Sequence, residues 1–254
     1  MADTQTVRFR IRRQDQAGAA PRWEEFSVPY QPRMNIISAL MEIQRNPVTS
    51  AGQKTTPVSY SSNCLEEVCG ACTMRINGKV RQACSALVDR VRSSPNDPIT
   101  LEPMSKFPVV RDLYVDRERI FDGFKRVKAW VFLDGTYDLG PGPRYSNEVA
   151  ETRYALSRCM ACGCCMEACP NYGPHSPYIG PAAVNQARLF NLHPSGQINA
   201  DERIDSLMHE GGIGDCGMAQ NCVAVCPKDI PLTTSLAEMM KATTRQGLLK
   251  LFRR

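Results

Sequence analysis

Residues 64–84 read CLEEVCGACTMRINGKVRQAC, and this stretch decides the first half of the fold. Its cysteines, Cys64, Cys69, Cys72 and Cys84, are spaced C-x4-C-x2-C-x11-C. Between the third and fourth, Asn77-Gly78 separates two short runs, Thr73–Ile76 and Lys79–Gln82. Asn-Gly accepts positive φ at both central positions of a tight turn, so the pair predicts a β-hairpin. Working outward, VRFRIRR (Val7–Arg13) puts Val7, Phe9 and Ile11 on one face of a strand. Glu24–Tyr30 is a second strand, reached across the polar loop Gln14–Arg22. Asn35 is placed to cap a helix over Ile36–Arg45, with Ile36, Leu40 and Ile43 as its apolar stripe. Ile99–Met104 reads as a last short strand after a turn at Ser93–Pro98.

The spacing x4, x2 and then a long gap is that of plant-type [2Fe–2S] sites. Four thiolates also suit tetrahedral zinc, although this spacing is unusual for a zinc ribbon. Gly70 frees the backbone to wrap closely round a cluster, so that loop amides can bond its sulfurs. Strands, one helix and such a loop together predict a β-grasp ferredoxin domain.

After about residue 105 the character changes. Asp112–Val131 is long, charged and helical in period, and Asp138–Arg144 (DLGPGPR) reads as a Gly/Pro linker. Glu148–Arg158, Pro181–Phe190, Ala200–Glu210 and Ser235–Phe252 are further predicted helices. The expected class is α+β: a plant-type β-grasp domain over 1–105, then an all-α bacterial-ferredoxin-like domain over 106–254.

That second half carries CMACGCCMEACP at 159–170, which contains C-x2-C-x2-C-x3-C-P, the bacterial ferredoxin run. In two-cluster ferredoxins the first three cysteines of such a run bind one cluster and the fourth, before proline, reaches to the other. Cys159, Cys162 and Cys165 make the triple and Cys169 the crossing ligand. Farther on stand Cys216, Cys222 and Cys226-Pro227, and the slot for a middle cysteine is taken by Ala219. Crossing Cys226 completes four thiolates with Cys159, Cys162 and Cys165, enough for [4Fe–4S]. Cys169, Cys216 and Cys222 give three, which suits [3Fe–4S]; the alternative is [4Fe–4S] with a non-cysteine ligand. Of the twelve cysteines only Cys164 is left over, read as a small buried thiol beside the cluster.

Composition agrees with a packed protein: 43% of residues are hydrophobic and 22% charged. The net charge of +5 is mild and without a basic run, so no nucleic-acid partner is expected. MADTQTVRFR has no apolar h-region and no stretch approaches ~18 apolar residues, so neither a secretory signal nor a membrane span is expected. So many cysteines in an intracellular chain point to metal, not disulfides.

With these clusters assigned, the chain closely resembles the iron–sulfur subunits of succinate:quinone oxidoreductase (succinate dehydrogenase, complex II) and of fumarate reductase. NCLEEVCGACTMRINGKVRQAC, FPVVRDLYVD, CMACGCCMEACPN, YIGPAA and NCVAVCPKDIPLT carry the resemblance. It is most similar to the Gram-positive-type, menaquinone-linked enzymes through ISALMEIQRNPV, DGTYDLGPGPR and LTTSLAEM. The resemblance implies a respiratory, tricarboxylic-acid-cycle relay. A flavoprotein subunit with covalent FAD oxidises succinate, and electrons pass through [2Fe–2S], [4Fe–4S] and [3Fe–4S] in turn. Quinone is reduced beside a membrane-anchor cytochrome b subunit carrying haem b. It also implies a peripheral place on the cytoplasmic face of the bacterial cell membrane, and no catalytic residue for succinate in this chain.

Where ubiquinone-reducing members have tryptophans after the crossing Cys-Pro, this chain has Asn171-Tyr172-Gly173-Pro174-His175. Where they often have histidine after the first cysteine of the third group, it has Gly217. These departures fit menaquinone or a differently placed site, and leave Pro170 and His175 as the quinone-side candidates. Fumarate reduction in the reverse direction and a free multi-cluster ferredoxin are the alternative functions; the latter are usually small and acidic. A glycerol-3-phosphate or heterodisulfide type would carry two full four-cysteine runs or CCG repeats, absent here.

Overall fold

A computed structural model describes residues 5–94, 97–132 and 144–252. Residues 95–96 of the expected turn Ser93–Pro98 lie outside the described residues. So do residues 133–143, which hold all of the expected linker Asp138–Arg144 except its last residue. The chain forms two compact units, Met1–Arg117 and Glu118–Arg254.

In the first unit, β1 (Thr6–Arg13) pairs antiparallel with β2 (Arg22–Pro29) over their whole length. Then come α1 (Ile36–Arg45), β3 (Thr73–Ile76), β4 (Lys79–Gln82), α2 (Val88–Val91) and β5 (Ile99–Glu102). The sheet order is β2-β1-β5-β3-β4. β5 lies parallel to β1 and antiparallel to β3, so that Leu101 stands opposite both Ile11 and Ile76. Alternation along β1 turns Val7, Phe9 and Ile11 inward, and α1 covers them with Ile36, Ile37, Ala39, Leu40 and Ile43. Asn35 caps α1 as expected, its side-chain oxygen accepting the N–H of Ser38 at 2.8 Å.

The expected helix over Asp112–Val131 is corrected by the structure. Its first part is a hairpin, β6 (Val109–Arg111) and β7 (Tyr114–Val115), turned at Asp112 with φ 47°. Tertiary bonds override the helical period here. The buried Asp112 carboxylate accepts from Arg13 Nε at 2.9 Å, from the Gln14 N–H at 3.0 Å and from the Ser59 N–H at 2.9 Å. Arg13 follows Val7, Phe9 and Ile11 on the inward face of β1 and is itself wholly buried. Its guanidinium also meets Glu24 at 2.5 Å and the Thr56 carbonyl at 3.0 Å, which is what makes a buried charge tolerable. These bonds hold the hairpin to the first unit, so the division falls after Arg117 and not at the change of composition near 105.

The second unit holds α3 (Glu118–Arg126), α4 (Asn147–Ser157), α5 (Cys164–Glu167), α6 (Pro181–Asn191), α7 (Ala200–Met208), α8 (Asn221–Ala224) and α9 (Leu232–Phe252). α6 is its centre. Pro181 starts it, where the missing N–H costs nothing. Ala183, Val184 and Ala187 let α4, α7 and α9 close around it through Leu156, Leu207, Leu236 and Met239. Asn185, buried on α6, donates to the Leu156 carbonyl at 3.3 Å and accepts from Ser235 Oγ at 3.1 Å. Among the described residues no helix is long and apolar enough to cross a membrane.

Candidate metal centres

The first-unit loop is coiled so that its amides point at sulfur. Leu65, Glu67 and Gly70 take positive φ of 62°, 60° and 71°, in Gly70 at no steric cost. The N–H groups of Val68 and Cys69 then donate to Cys64 Sγ, each at 3.3 Å, and that of Glu66 at 3.5 Å. Glu67 N–H donates to Cys84 Sγ at 3.3 Å, and Ala71 N–H to Cys69 Sγ at 3.4 Å. The amides of Glu66 and Val68 lower the Cys64 pKa to about 7, whereas burial pushes Cys72 up to about 12. The loop carbonyls are taken up elsewhere. Thr73 Oγ1 donates to Gly70 O at 2.8 Å, and the Arg117 guanidinium to Gly70 O at 2.5 Å and Ala71 O at 2.6 Å. Cys72 and Cys84 are buried beneath the loop, while Leu65 and Val68 are exposed on it.

The second unit has two cysteine-lined cavities. One is walled by Cys159, Cys162, Cys164, Cys165 and Cys226, with Ala182, Ile230 and Leu232 behind them. The other is walled by Cys169, Cys216 and Cys222, with Pro170, Asn171, Met218 and Ala219. Each segment thus lends a cysteine to the other's cavity. Positive φ at Ala161 (51°) and Gly163 (86°) shapes the first loop, and at Met218 (52°) and Gln220 (61°) the second. Burial raises the pKa of Cys159, Cys165 and Cys222, Cys165 most. Desolvated thiols of this kind want a metal to hold their thiolate form. Among the described residues no three His, Cys, Asp or Glu side chains are gathered for a single metal ion; the thiols of this unit stand round cavity walls. None of the twelve cysteines forms a disulfide.

The two loops of the second cavity are bonded to each other. Asn221 Nδ2 donates to Ala168 O at 3.1 Å, and Gly217 N–H to Asn171 Oδ1 at 3.3 Å. Arg119 stacks over the Tyr172 ring at 4.5 Å and donates to the carbonyls of Gly173 and Ser176. Pro170 lines the cavity; His175 lies exposed on the turn that Arg119 holds. Cys164 is wholly buried, on the wall of the first cavity.

Sequence reasoning missed Arg117, Arg119 and Asn171. Two of them stand inside the quoted motifs or next to them, but nothing local says which distant carbonyl or backbone N–H each one meets.

Residues 8–122 match the family described as a 2Fe-2S iron-sulfur cluster binding domain, and residues 155–230 that described as a 4Fe-4S dicluster domain. The succinate dehydrogenase iron-sulfur subunit of Bacillus subtilis (strain 168) is 56% identical over 252 residues, 99% of this chain and 98% of the relative. The fumarate reductase iron-sulfur subunit of Wolinella succinogenes is 27% identical over 227 residues, 89% of this chain and 91% of the relative. A chain of the "Mycobacterium smegmatis Sdh1 complex in the apo form" has the same fold. Its TM-score is 0.78 at 23% identity, over 96% of this chain and 97% of that one.

Proposed function

The chain belongs to the family of succinate dehydrogenase iron–sulfur subunits and is an electron-transfer subunit of that oxidoreductase; from that premise we propose that it holds three clusters in series between a flavoprotein and a membrane anchor. Cys64, Cys69, Cys72 and Cys84 hold [2Fe–2S]. Cys159, Cys162, Cys165 and Cys226 hold [4Fe–4S], and Cys169, Cys216 and Cys222 hold [3Fe–4S]. When bound, the clusters are one-electron carriers: succinate oxidation at FAD on the flavoprotein releases two electrons and two protons, and the electrons go singly to a quinone, menaquinone in this reading, beside an anchor that carries haem b.

The observation that carries the reading is the exchange between the two second-unit cavities, which leaves four thiols on one side besides Cys164, and three on the other. Ala219, on the wall of the three-thiol cavity, has no atom to bind iron. The chain's own residues do three things. The amides at 66–69 and 71 meet sulfur charge in the first loop, and cluster potentials depend on such bonds. The cores around Cys72, Cys162, Cys169 and Cys222 keep water from the sulfurs. Exposed Leu65 and Val68 offer an apolar face beside the first site for the flavoprotein.

The membrane side rests on α9. Leu248, Leu249, Leu251 and Phe252 are exposed at its end, an apolar patch suited to an anchor subunit or the lipid edge at the cytoplasmic face of the membrane. Lys250, beside that patch, is paired with Asp205 at 2.5 Å. Arg253 and Arg254 lie outside the described residues.

The test is electron paramagnetic resonance on the complex that contains this chain. Succinate should reduce the [2Fe–2S] site and so bring out its signal, and air-oxidised enzyme should carry a three-iron signal. An oxidised wild type with no three-iron signal overturns the third ligand set.

A further inference from the structure

The second strand of the Asp112 hairpin delivers Arg117 to the first cysteine loop. Val115 of β7 is buried, and Asp116 N–H donates to Pro108 O at 2.8 Å, so the chain is fixed up to the residue before Arg117. Arg117 itself is half-buried. Its acidic neighbours in sequence, Asp116 and Glu118, are exposed, where water and salt screen them. The relay described above gives this cation no task.

The guanidinium fork spans two successive carbonyls. Nη1 donates to Gly70 O at 2.5 Å and Nη2 to Ala71 O at 2.6 Å. Both carbonyls belong to the turn between Cys69 and Cys72. A trans peptide points its carbonyl and its N–H in opposite directions. The Gly70–Ala71 peptide accordingly turns its oxygen to Arg117 and its N–H to Cys69 Sγ, at 3.4 Å. Gly70 O takes a second donor, Thr73 Oγ1 at 2.8 Å, and Gln82 Nε2 donates in turn to that hydroxyl at 2.9 Å. One peptide thus has a guanidinium and a hydroxyl on its oxygen and a cysteine sulfur on its N–H. Hydrogen bonds linked in this way polarise one another, and those with a charged donor are the stronger ones.

We propose that Arg117 is a positioning residue that raises the potential of the cluster on Cys64, Cys69, Cys72 and Cys84, acting through the Gly70–Ala71 peptide. The inference rests on the reading of those four cysteines as ligands. An added electron makes the cluster and its sulfurs more negative. A fixed cation behind the turn and a polarised N–H on Cys69 both favour that reduced state, since cluster potentials follow charge and hydrogen bonds to sulfur. A guanidinium does not lose its proton in a protein, so the effect is independent of pH. Arg117 makes the first carrier of the relay easier to reduce.

The experiment is a redox titration of the three cluster signals in the membrane-bound complex, for wild type, Arg117→Lys, Arg117→Gln and Arg117→Met. Lysine keeps the charge without the fork, glutamine keeps a donor without the charge, and methionine keeps neither. The first-cluster midpoint should fall a little with lysine and further with glutamine and methionine. The other two midpoints should stay in place, and the differences should be the same at mildly acidic and mildly alkaline pH. A neutral variant at the wild-type midpoint, lysine as low as glutamine, or a shift shared by all three clusters overturns the proposal. If both neutral forms lose the first cluster, the lysine form decides: a midpoint below wild type supports the proposal, and the wild-type value makes Arg117 a clasp for the loop and overturns it. A succinate-reduced wild type with no [2Fe–2S] signal overturns the ligand reading instead.

Discussion

The side-chain oxygen of Asn171 accepts the Gly217 N–H at 3.3 Å and stands 2.6 Å from where a Cβ on residue 217 would be. Glycine next to Cys216 thus makes room for an asparagine from the other loop. Gly217→Ala should push the Asn171 amide away and lose that hydrogen bond, at about 1 kcal/mol. Asn171→Ala should cost about the same, and the double variant no more than either, since the two remove one interaction. Thermal bleaching of the cluster absorbance in the purified complex measures all three; additive losses would refute the shared bond.

Arg13 and Asp112 form a buried pair far apart in sequence, with both side chains at 0% exposure. Asp112→Asn replaces one of the two carboxylates on the buried Arg13, which keeps Glu24, and weakens charge-assisted hydrogen bonds; it should destabilise the first unit by about 1.5–3 kcal/mol. Glu42→Gln, which breaks the exposed pair with Arg45, should cost less than about 1 kcal/mol. Denaturant midpoints followed through the [2Fe–2S] absorbance give the comparison. Equal effects would mean that the buried network contributes nothing special.

Ala219 lines the three-thiol cavity and occupies the slot of a ferredoxin cysteine. Ala219→Cys should admit a fourth iron, shrink the oxidised three-iron signal and lower the potential of that cluster. Succinate oxidation with a dye that accepts upstream should persist while quinone reduction slows. An unchanged three-iron signal would place the missing ligand elsewhere.

His193 Nδ1 accepts the Ser195 N–H at 3.2 Å, which requires the neutral ring. Burial, and then Arg153, hold its pKa below the usual 6.5. The unfolded chain therefore binds this proton more readily than the folded one. Stability from this site is complete above about pH 6.5 and is lost as pH falls from there through the folded value. Melting temperatures between about pH 7.5 and pH 5 should fall more steeply for wild type than for His193→Gln; parallel curves would exclude the site.

The end of α9 should matter for membrane attachment and not for the clusters. Removing residues 248–254 takes away Leu248, Leu249, Leu251 and Phe252, all exposed, together with the Lys250–Asp205 pair. Less chain retained in washed membranes with all three cluster signals intact is the expected result. Undiminished retention would end the idea.

Much of this was legible in the residues. The strands flanking Asn77-Gly78 and helix Ile36–Arg45 have the bounds that turn chemistry and an asparagine cap dictate. Cysteine spacing told which segment each thiol of the second unit would join, because the template makes the cysteine before proline cross to the other run, and Cys169 and Cys226 do stand on the other segment's cavity wall. Asp112–Val131 misled because helical periodicity is a local signal, and the bonds that turn Asp112 into a hairpin come from Arg13, Gln14 and Ser59. Arg13 follows the alternation of β1 into the core, but its two carboxylate partners cannot be read from that alternation. Asn171 and Arg119 escaped for the same reason: their partners lie 46 and 54 residues away.

The traded cysteines of the second unit have a consequence for the order of assembly. Cys226 stands with the run that begins at Cys159, and Cys169 with the loop that begins at Cys216. A nascent chain has a full set of first-unit thiols once Cys84 has emerged, yet it completes the four-thiol wall only with its twelfth and last cysteine. On the proposed ligand sets, the first-unit site has all its thiols early in synthesis, and the two second-unit sites are completed late and close together. Damage to either late centre loosens a strap of its neighbour, so the pair should be gained and lost together.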